Sequence, residues 1–320
     1  MQKIIIENFK PSNGTKPQRI VLSYQIFGLP LHSAPVALVN HALTGNSEVI
    51  GKNGWWNNLI GEQGAIRPSE YTILAFDIPG NCFGGDENRI DNYRDFTLAD
   101  IASIFWYGID FLNITELNSA IGSSLGGAIA WEMAAQRPNF IKNIIPIATD
   151  WKSTAWLLAH VKLQDDILNH SSRPIEDART HGMLLYRTPQ SLASRFDRRK
   201  QPENFGLFQI ESWLNHHGDK LRSRFSLPAY KMMNYMLRTI DISENREPFP
   251  QCAAAIKSDI HLIAIDTDLF FPAAETRKDY ETLKKLKSNV FYHEIKSIHG
   301  HDAFLIEYEQ LNNILKPVFE

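Results

Sequence analysis

Cysteine is scarce in this chain of 320 residues: only Cys82 and Cys252 are present. Two cysteines cannot frame a disulfide scaffold. Neither has a second cysteine nearby at ligand spacing, so no metal site is expected. Long apolar runs are also missing, and no segment approaches the length of a membrane span. The N-terminal run Ile4-Ile5-Ile6 is too short for a signal peptide and is followed by Glu7. The expectation is a cytoplasmic protein with two free thiols. Charge of one sign is not in excess either. Lys and Arg total 33 against 36 Asp and Glu, a net charge of −3. That balance gives no reason to expect nucleic acid or an anionic membrane as partner. What is present is an ordinary globular composition, 43% hydrophobic, enough for one large domain or a domain with an insertion.

The stretch Glu116 to Gly127 organises the rest. It reads as a strand ending at Gly122, with a helix starting at Leu125 or Gly126. Between them Gly122-Ser123-Ser124-Leu125-Gly126 matches G-x-S-x-G, which puts a serine on a sharp strand-to-helix turn. The flanking glycines suit a turn where a side chain would collide with strand and helix. Ser124 would stand above the sheet at the positive end of the following helix.

Around this turn the chain alternates strand and helix. Residues 3–9 and 20–27 read as a hairpin, and 34–40 as a buried strand emptying into His41-Ala-Leu-Thr-Gly45. A strand running into a His/Gly loop is where acyl-transfer enzymes of this architecture place oxyanion donors. The N–H groups of Leu43 and Leu125 are therefore the candidate pair. Gly54-Trp55-Trp56 reads as packing. Residues 71–77 form a strand. A helix opens near Thr97, with Asp100 as an acidic variant of the capping box. Residues 141–148 supply another strand. The alternation predicts parallel crossovers with helices on both faces of the sheet. From 149 to 252 no buried strand is evident and the pattern is helical, which predicts an α-helical lid inserted in a core made of 1–148 and 253–320. Arg198, Arg199 and Lys200 read as a solvated face, with a phosphate-receiving role left open. Strands return at 259–265 and 290–295. A helix spans 273–286, and a final helix carries Phe304, Leu311, Leu315 and Val318 on one stripe.

Three candidate groups thus fall at the C-terminal ends of three parallel strands: Ser124, an aspartate at 266 or 268, and a histidine at 299 or 301. The order Ser, Asp, His is that of α/β-hydrolase triads. A serine hydroxyl needs an imidazole to take its proton, and the imidazole needs a carboxylate to hold its tautomer. The fold class expected is α/β, an α/β-hydrolase fold with a mostly parallel sheet and a helical lid.

His41-Ala-Leu-Thr-Gly45, Gly54-Trp-Trp56, the serine turn, Tyr186-Arg187, Glu211-Ser212 with Gly218-Asp-Lys220, and Gly300-His-Asp-Ala-Phe-Leu305 together resemble the homoserine O-acetyltransferase family. The resemblance runs over nearly the whole chain. It implies Ser124 as nucleophile, Asp268 as acid and His301 as base. It also implies that Arg187 and Asp302 hold the amino acid's carboxylate and ammonium, pairings their chemistry suits. The implied reaction is ping-pong transfer of an acetyl group from acetyl-CoA to L-homoserine, a step toward methionine, with no permanently bound cofactor. Alternatives are a succinyl-CoA donor or a serine acceptor on the same fold, a serine esterase, and a non-catalytic binding protein. The oligomeric state stays open, with a homodimer as one alternative. The chain departs from the family pattern in a trimmed loop at 81–95, in Ile147-Ala-Thr-Asp-Trp151, and in Ser123 and Leu125 of the serine turn.

Overall fold

The computed structural model describes residues 1–320, the side chains of 204 and 205 excepted. An antiparallel pair opens the chain, β1 (Gln2–Phe9) and β2 (Gln18–Gly28). Then come β3 (Val36–Asn40), β4 (Thr72–Phe76), α1 (Leu98–Phe111), β5 (Leu117–Ser123), α2 (Leu125–Gln136) and β6 (Ile141–Ile147). The sheet resumes later with β9 (Asp259–Ile265) and β10 (Val290–Ile295), separated by α9 (Ala273–Leu283) and followed by α10 (Tyr308–Phe319). The order across its eight strands is β1-β2-β4-β3-β5-β6-β9-β10. Every pairing from β4 to β10 is parallel, and β2 joins β4 antiparallel.

Both faces are covered, and the strand sequences show why. Val-Ala-Leu-Val-Asn of β3 and Thr-Ile-Leu-Ala-Phe of β4 are buried at every position, as strands sandwiched between helices must be. Within β3, Val36 and Leu38 point into one apolar cluster with Ile101, Phe105 and Ile129. Ala37 and Val39 point into the other, with Trp56, Leu311 and Phe319. Each fully buried side chain of this size contributes about 1.5–3 kcal/mol. The tryptophan pair divides as core and rim packing requires: Trp56 is buried, Trp55 partly so, and their rings lie 4.7 Å apart. Thr97 and Asp100 cap α1 reciprocally, Asp100 Oδ2 accepting from the Thr97 N–H at 2.7 Å.

Between β6 and β9 lie α3 (Ala155–His170), α4 (Pro174–Tyr186), α5 (Pro189–Phe196), α6 (Gln209–Arg222), α7 (Leu227–Arg238) and α8 (Phe249–Ala255). As expected, no buried strand lies in this span among the described residues, but one exposed pairing does. A small antiparallel hairpin, β7 (Lys200–Gln201) with β8 (Asn204–Phe208), sits between α5 and α6. It pairs only with itself, and none of its described side chains is buried, so it leaves no apolar alternation to read. Arg198 and Lys200 lie 5.3 and 6.0 Å from the centre of the Phe208 ring, which gives the basic cluster an aromatic surface to cover. One correction concerns Phe304. It belongs to a 3₁₀ turn over Gly300–Leu305, and the last helix begins only at Tyr308.

The loop after β6 docks on α9 through two carboxyls. Trp151 Nε1 donates to Asp279 Oδ1 at 3.0 Å, and its ring stacks on Phe249 at 4.0 Å. The Asp150 carboxyl hydrogen-bonds that of Asp279, and Glu275 adds more negative charge. Burial first, and the Asp150 charge next, push Asp279 up to about 8. A carboxyl with a raised folded-state pKa binds more protons folded than unfolded. Its contribution to stability is present in acid and is lost as pH rises through the folded value. Asp279→Asn should therefore flatten the fall in Tm between pH 6 and 9 and leave the variant the more stable form at pH 9. A wild-type Tm equally flat over that range would show that the pair carries no such linkage.

Candidate active site

The serine turn is held by close contacts at two glycines. A Cβ on Gly122 would lie 2.4 Å from the backbone of Gly126, and one on Gly126 would lie 2.3 Å from the Asn40 carbonyl oxygen. Side chains at these points would force strand and helix apart. Ser124 takes φ 55° and ψ −124°, a conformation rarely adopted by a non-glycine residue. It is fixed there by its own N–H on the Ile147 carbonyl at 2.8 Å. The result is a side chain standing over the end of β5 at the N-terminus of α2.

Asp268 and His301 are brought together from the loops after β9 and β10. His301 Nδ1 lies 2.7 Å from Asp268 Oδ2. A carboxylate can only accept, so the hydrogen sits on Nδ1 and Nε2 is left as the acceptor. The other oxygen of Asp268 accepts from the N–H groups of Phe270 and Phe271 at 2.7 and 2.9 Å. Both residues are buried. The rings of Tyr186, Phe270, Phe271 and Phe304 stand 5.2–5.7 Å from the imidazole and shield it from water. Of the alternatives left open by strand position, Asp266 is exposed and accepts from the Ser297 N–H. His299 faces Ser191 Oγ and Arg187.

Ser124, His301, Leu43 and Asp302 line one cavity of about 80 Å³, together with Ala42, Thr44, Arg179, Tyr186, Phe304 and Leu305. No hydrogen bond joins Ser124 Oγ to the His301 ring among the described residues, which is common before substrate arrives. Neither Leu43 N–H nor Leu125 N–H has a backbone acceptor there; Leu125 opens α2, where helix N–H groups lack a partner.

Arg187 and Asp302 are placed differently from one another. Asp302 reaches the cavity wall, but Arg187 stands behind it, its Nε 3.1 Å from Asp302 Oδ2. That contact is an ion pair rather than an aligned hydrogen bond. The guanidinium that does line the cavity is Arg179, on α4, which the sequence reading did not single out. The available signal was its seven-residue spacing from Tyr186, two helical turns on the same face. Its guanidinium lies 5.5 Å from the Tyr186 ring centre. Burial pushes the Asp302 carboxyl up, while the charges of Arg179, Arg187 and His301 pull it back down.

The chain matches the α/β hydrolase fold family over residues 35–306. A homoserine O-acetyltransferase from Cyclobacterium marinum is 33% identical, with 89% of this chain and 84% of that protein covered. Two solved structures share the fold over the full length of this chain. One is a homoserine O-acetyltransferase from Bacillus anthracis, at 18% identity, TM-score 0.88 and 97% of that chain. The other is esterase E22, at 16% identity, TM-score 0.85 and 100% of that chain. With a serine turn, a buried His–Asp pair and a relative this similar over most of both lengths, the chain belongs to the homoserine O-acetyltransferase family of α/β-hydrolase-fold acyltransferases.

Proposed function

We propose that this protein transfers an acetyl group from acetyl-CoA to the hydroxyl of L-homoserine through an acyl-enzyme on Ser124. The observation that carries the reading is the shared cavity. Ser124, the His301 ring and two groups suited to the ends of an amino acid, Arg179 and Asp302, open on one small space.

In the first half-reaction Ser124 Oγ attacks the thioester carbonyl as its proton passes to His301 Nε2. The carbonyl oxygen gains charge between the N–H groups of Leu43 and Leu125. The carbon–sulfur bond then breaks, and the imidazolium returns the proton to the departing thiolate, releasing CoA. Asp268 stabilises the transient imidazolium and fixes its orientation. In the second half, homoserine enters with its carboxylate toward Arg179 and its ammonium toward Asp302. Its hydroxyl gives up a proton to His301 Nε2 and attacks the acyl carbon, and Ser124 leaves with that proton. The product, O-acetyl-L-homoserine, lies on the way to methionine. Residues 149–252 serve as a lid, with α4 supplying Arg179 and Tyr186 to the cavity wall. Arg187 then acts on the acceptor indirectly, by fixing the Asp302 carboxylate.

Ester hydrolysis is the second reading, because esterase E22 shares this fold. The two separate in one measurement, the turnover of a simple acetyl ester with and without homoserine. Acceleration by homoserine, with its acetyl ester as product, supports transfer, and indifference to homoserine supports hydrolysis.

Mass spectrometry after exposure to acetyl-CoA alone should show one added acetyl group on the peptide bearing Ser124. Ser124→Ala should show none and release no CoA; an adduct elsewhere on a catalytically active protein would refute the mechanism. Arg179→Ala should keep the acylation step and raise the KM for homoserine about tenfold or more, the loss of a charge-assisted hydrogen bond worth roughly 1.5–3 kcal/mol. Unaltered acceptor kinetics in that variant would remove Arg179 from the site.

A further inference from the structure

His41 takes no part in the steps above, yet it is fully buried at the end of β3, under the loop that carries Leu43. Both of its ring nitrogens are engaged. The backbone N–H of Ile78 donates to Nε2 at 3.0 Å, and the Asn81 side-chain amide lies 3.3 Å from the same atom. A nitrogen that accepts carries no hydrogen, so in the neutral ring the hydrogen must sit on Nδ1. Burial holds the ring neutral, its pKa pushed down to about 4. Nδ1 lies 2.7 Å from the Ala42 carbonyl oxygen and therefore donates to it.

The Ala42 carbonyl and the Leu43 N–H are two ends of one planar peptide group. That carbonyl accepts a second bond, from the Gly45 N–H at 2.9 Å. Gly45 can come this near only because it lacks a side chain; a Cβ there would lie 2.9 Å from Cβ of His41. Two donors on the carbonyl fix the plane of the peptide. They also polarise it, which strengthens the N–H at its opposite end. The Leu43 N–H is thereby aimed before any substrate arrives.

We propose that His41 is a positioning residue for the oxyanion. Its Nδ1–H, held in that tautomer by Ile78, sets the direction and donor strength of the Leu43 N–H. The proposal rests on the reading of Ser124 as nucleophile and Leu43 as donor. It makes His41 a second histidine that the acyl-transfer step depends on, one that never exchanges a proton with substrate. The ring stays neutral while His301 cycles.

Two measurements test it. In wild-type protein, nitrogen-15 resonances of the His41 ring should report a protonated Nδ1 and an unprotonated Nε2 across neutral pH; the opposite tautomer would overturn the proposal without any variant being made. In kinetics, His41→Phe keeps the ring's bulk but lacks a donor. It should lower kcat for acylation of Ser124 by about tenfold, less than the hundredfold or more that follows removal of an oxyanion donor itself, with KM for acetyl-CoA unchanged. His41→Asn places an amide N–H near the position of Nδ1 and should recover most of that loss. Equal losses in both variants at wild-type Tm, or full acylation by His41→Phe, would refute the role. Absence of any adduct on Ser124 in the wild-type protein is a different failure, since it removes the catalytic reading itself and this proposal with it.

Discussion

The contact between the first turn of α2 and the end of β3 is the constraint on which the site is built. The Asn40 carbonyl oxygen occupies the space a Cβ of Gly126 would need, at 2.3 Å. The Asn40 side-chain amide reaches back to the Gly126 carbonyl at 3.3 Å. Two consequences follow from this one close approach. The serine is forced onto a strained φ above the sheet. The loop leaving β3, with Leu43 on it, is brought beside the N-terminus of α2. The candidate nucleophile and both candidate oxyanion donors are therefore positioned by main-chain packing in a buried part of the fold. Strain of this kind costs on the order of 1–3 kcal/mol and persists because the surrounding strands leave the turn no other path.

The remaining parts of the site arrive on loops, and burial supplies the precision that packing of regular elements supplies to Ser124. Asp268 uses one oxygen on two backbone N–H groups and the other on His301, so its carboxylate has little freedom left. Four aromatic rings around the imidazole lower the local dielectric and strengthen that bond. A second buried polar group, after the ends of β3 and β4, repeats the device. Asp77, pushed up to about 6 by burial, accepts from Ser47 and Asn81, and Asn81 in turn faces His41.

How much of this could be read in the sequence depends on what kind of physics places each residue. The sheet was legible because its strands are continuous apolar runs separated by capped helices, as Thr97 with Asp100 shows. Ser124 was legible because two glycines at fixed spacing are needed for the turn. By strand position the aspartate and histidine were legible only as alternatives, since Asp266 and Asp268 lie on one loop, as do His299 and His301; the family resemblance singled out Asp268 and His301, the pair that the tertiary contacts join. The hairpin after α5 escaped because it is short and none of its described side chains is buried, which leaves no alternation to read. Phe304 was assigned to the last helix because a 3₁₀ turn presents an apolar residue much as a helix does. Arg179 escaped for a different reason. A motif draws the eye to Arg187, next to Tyr186, whereas the helix period sends the residue two turns earlier toward the cavity.

Transfer rather than hydrolysis demands that water lose a competition it would win on concentration alone. The volume of the cavity bears on this directly. At about 80 Å³ it has room for only a handful of water molecules. An acceptor gripped at its carboxylate by Arg179 and at its ammonium by Asp302 would displace them and hold its hydroxyl at the acyl carbon. Well-oriented groups react as though present at ~10⁵ M or more, far above the concentration of liquid water. The ion pair between Arg187 and Asp302 belongs to the same argument. Left alone, the buried Asp302 carboxyl would drift toward its neutral form and lose its hold on an ammonium group, and the two arginines and His301 oppose that drift. Burial still holds the Asp302 carboxyl above its ordinary value, and the charges of Arg179, Arg187 and His301 limit that rise; on the proposed reading, those charges favour the ionised form that an ammonium-bearing acceptor needs and an uncharged alcohol or water does not.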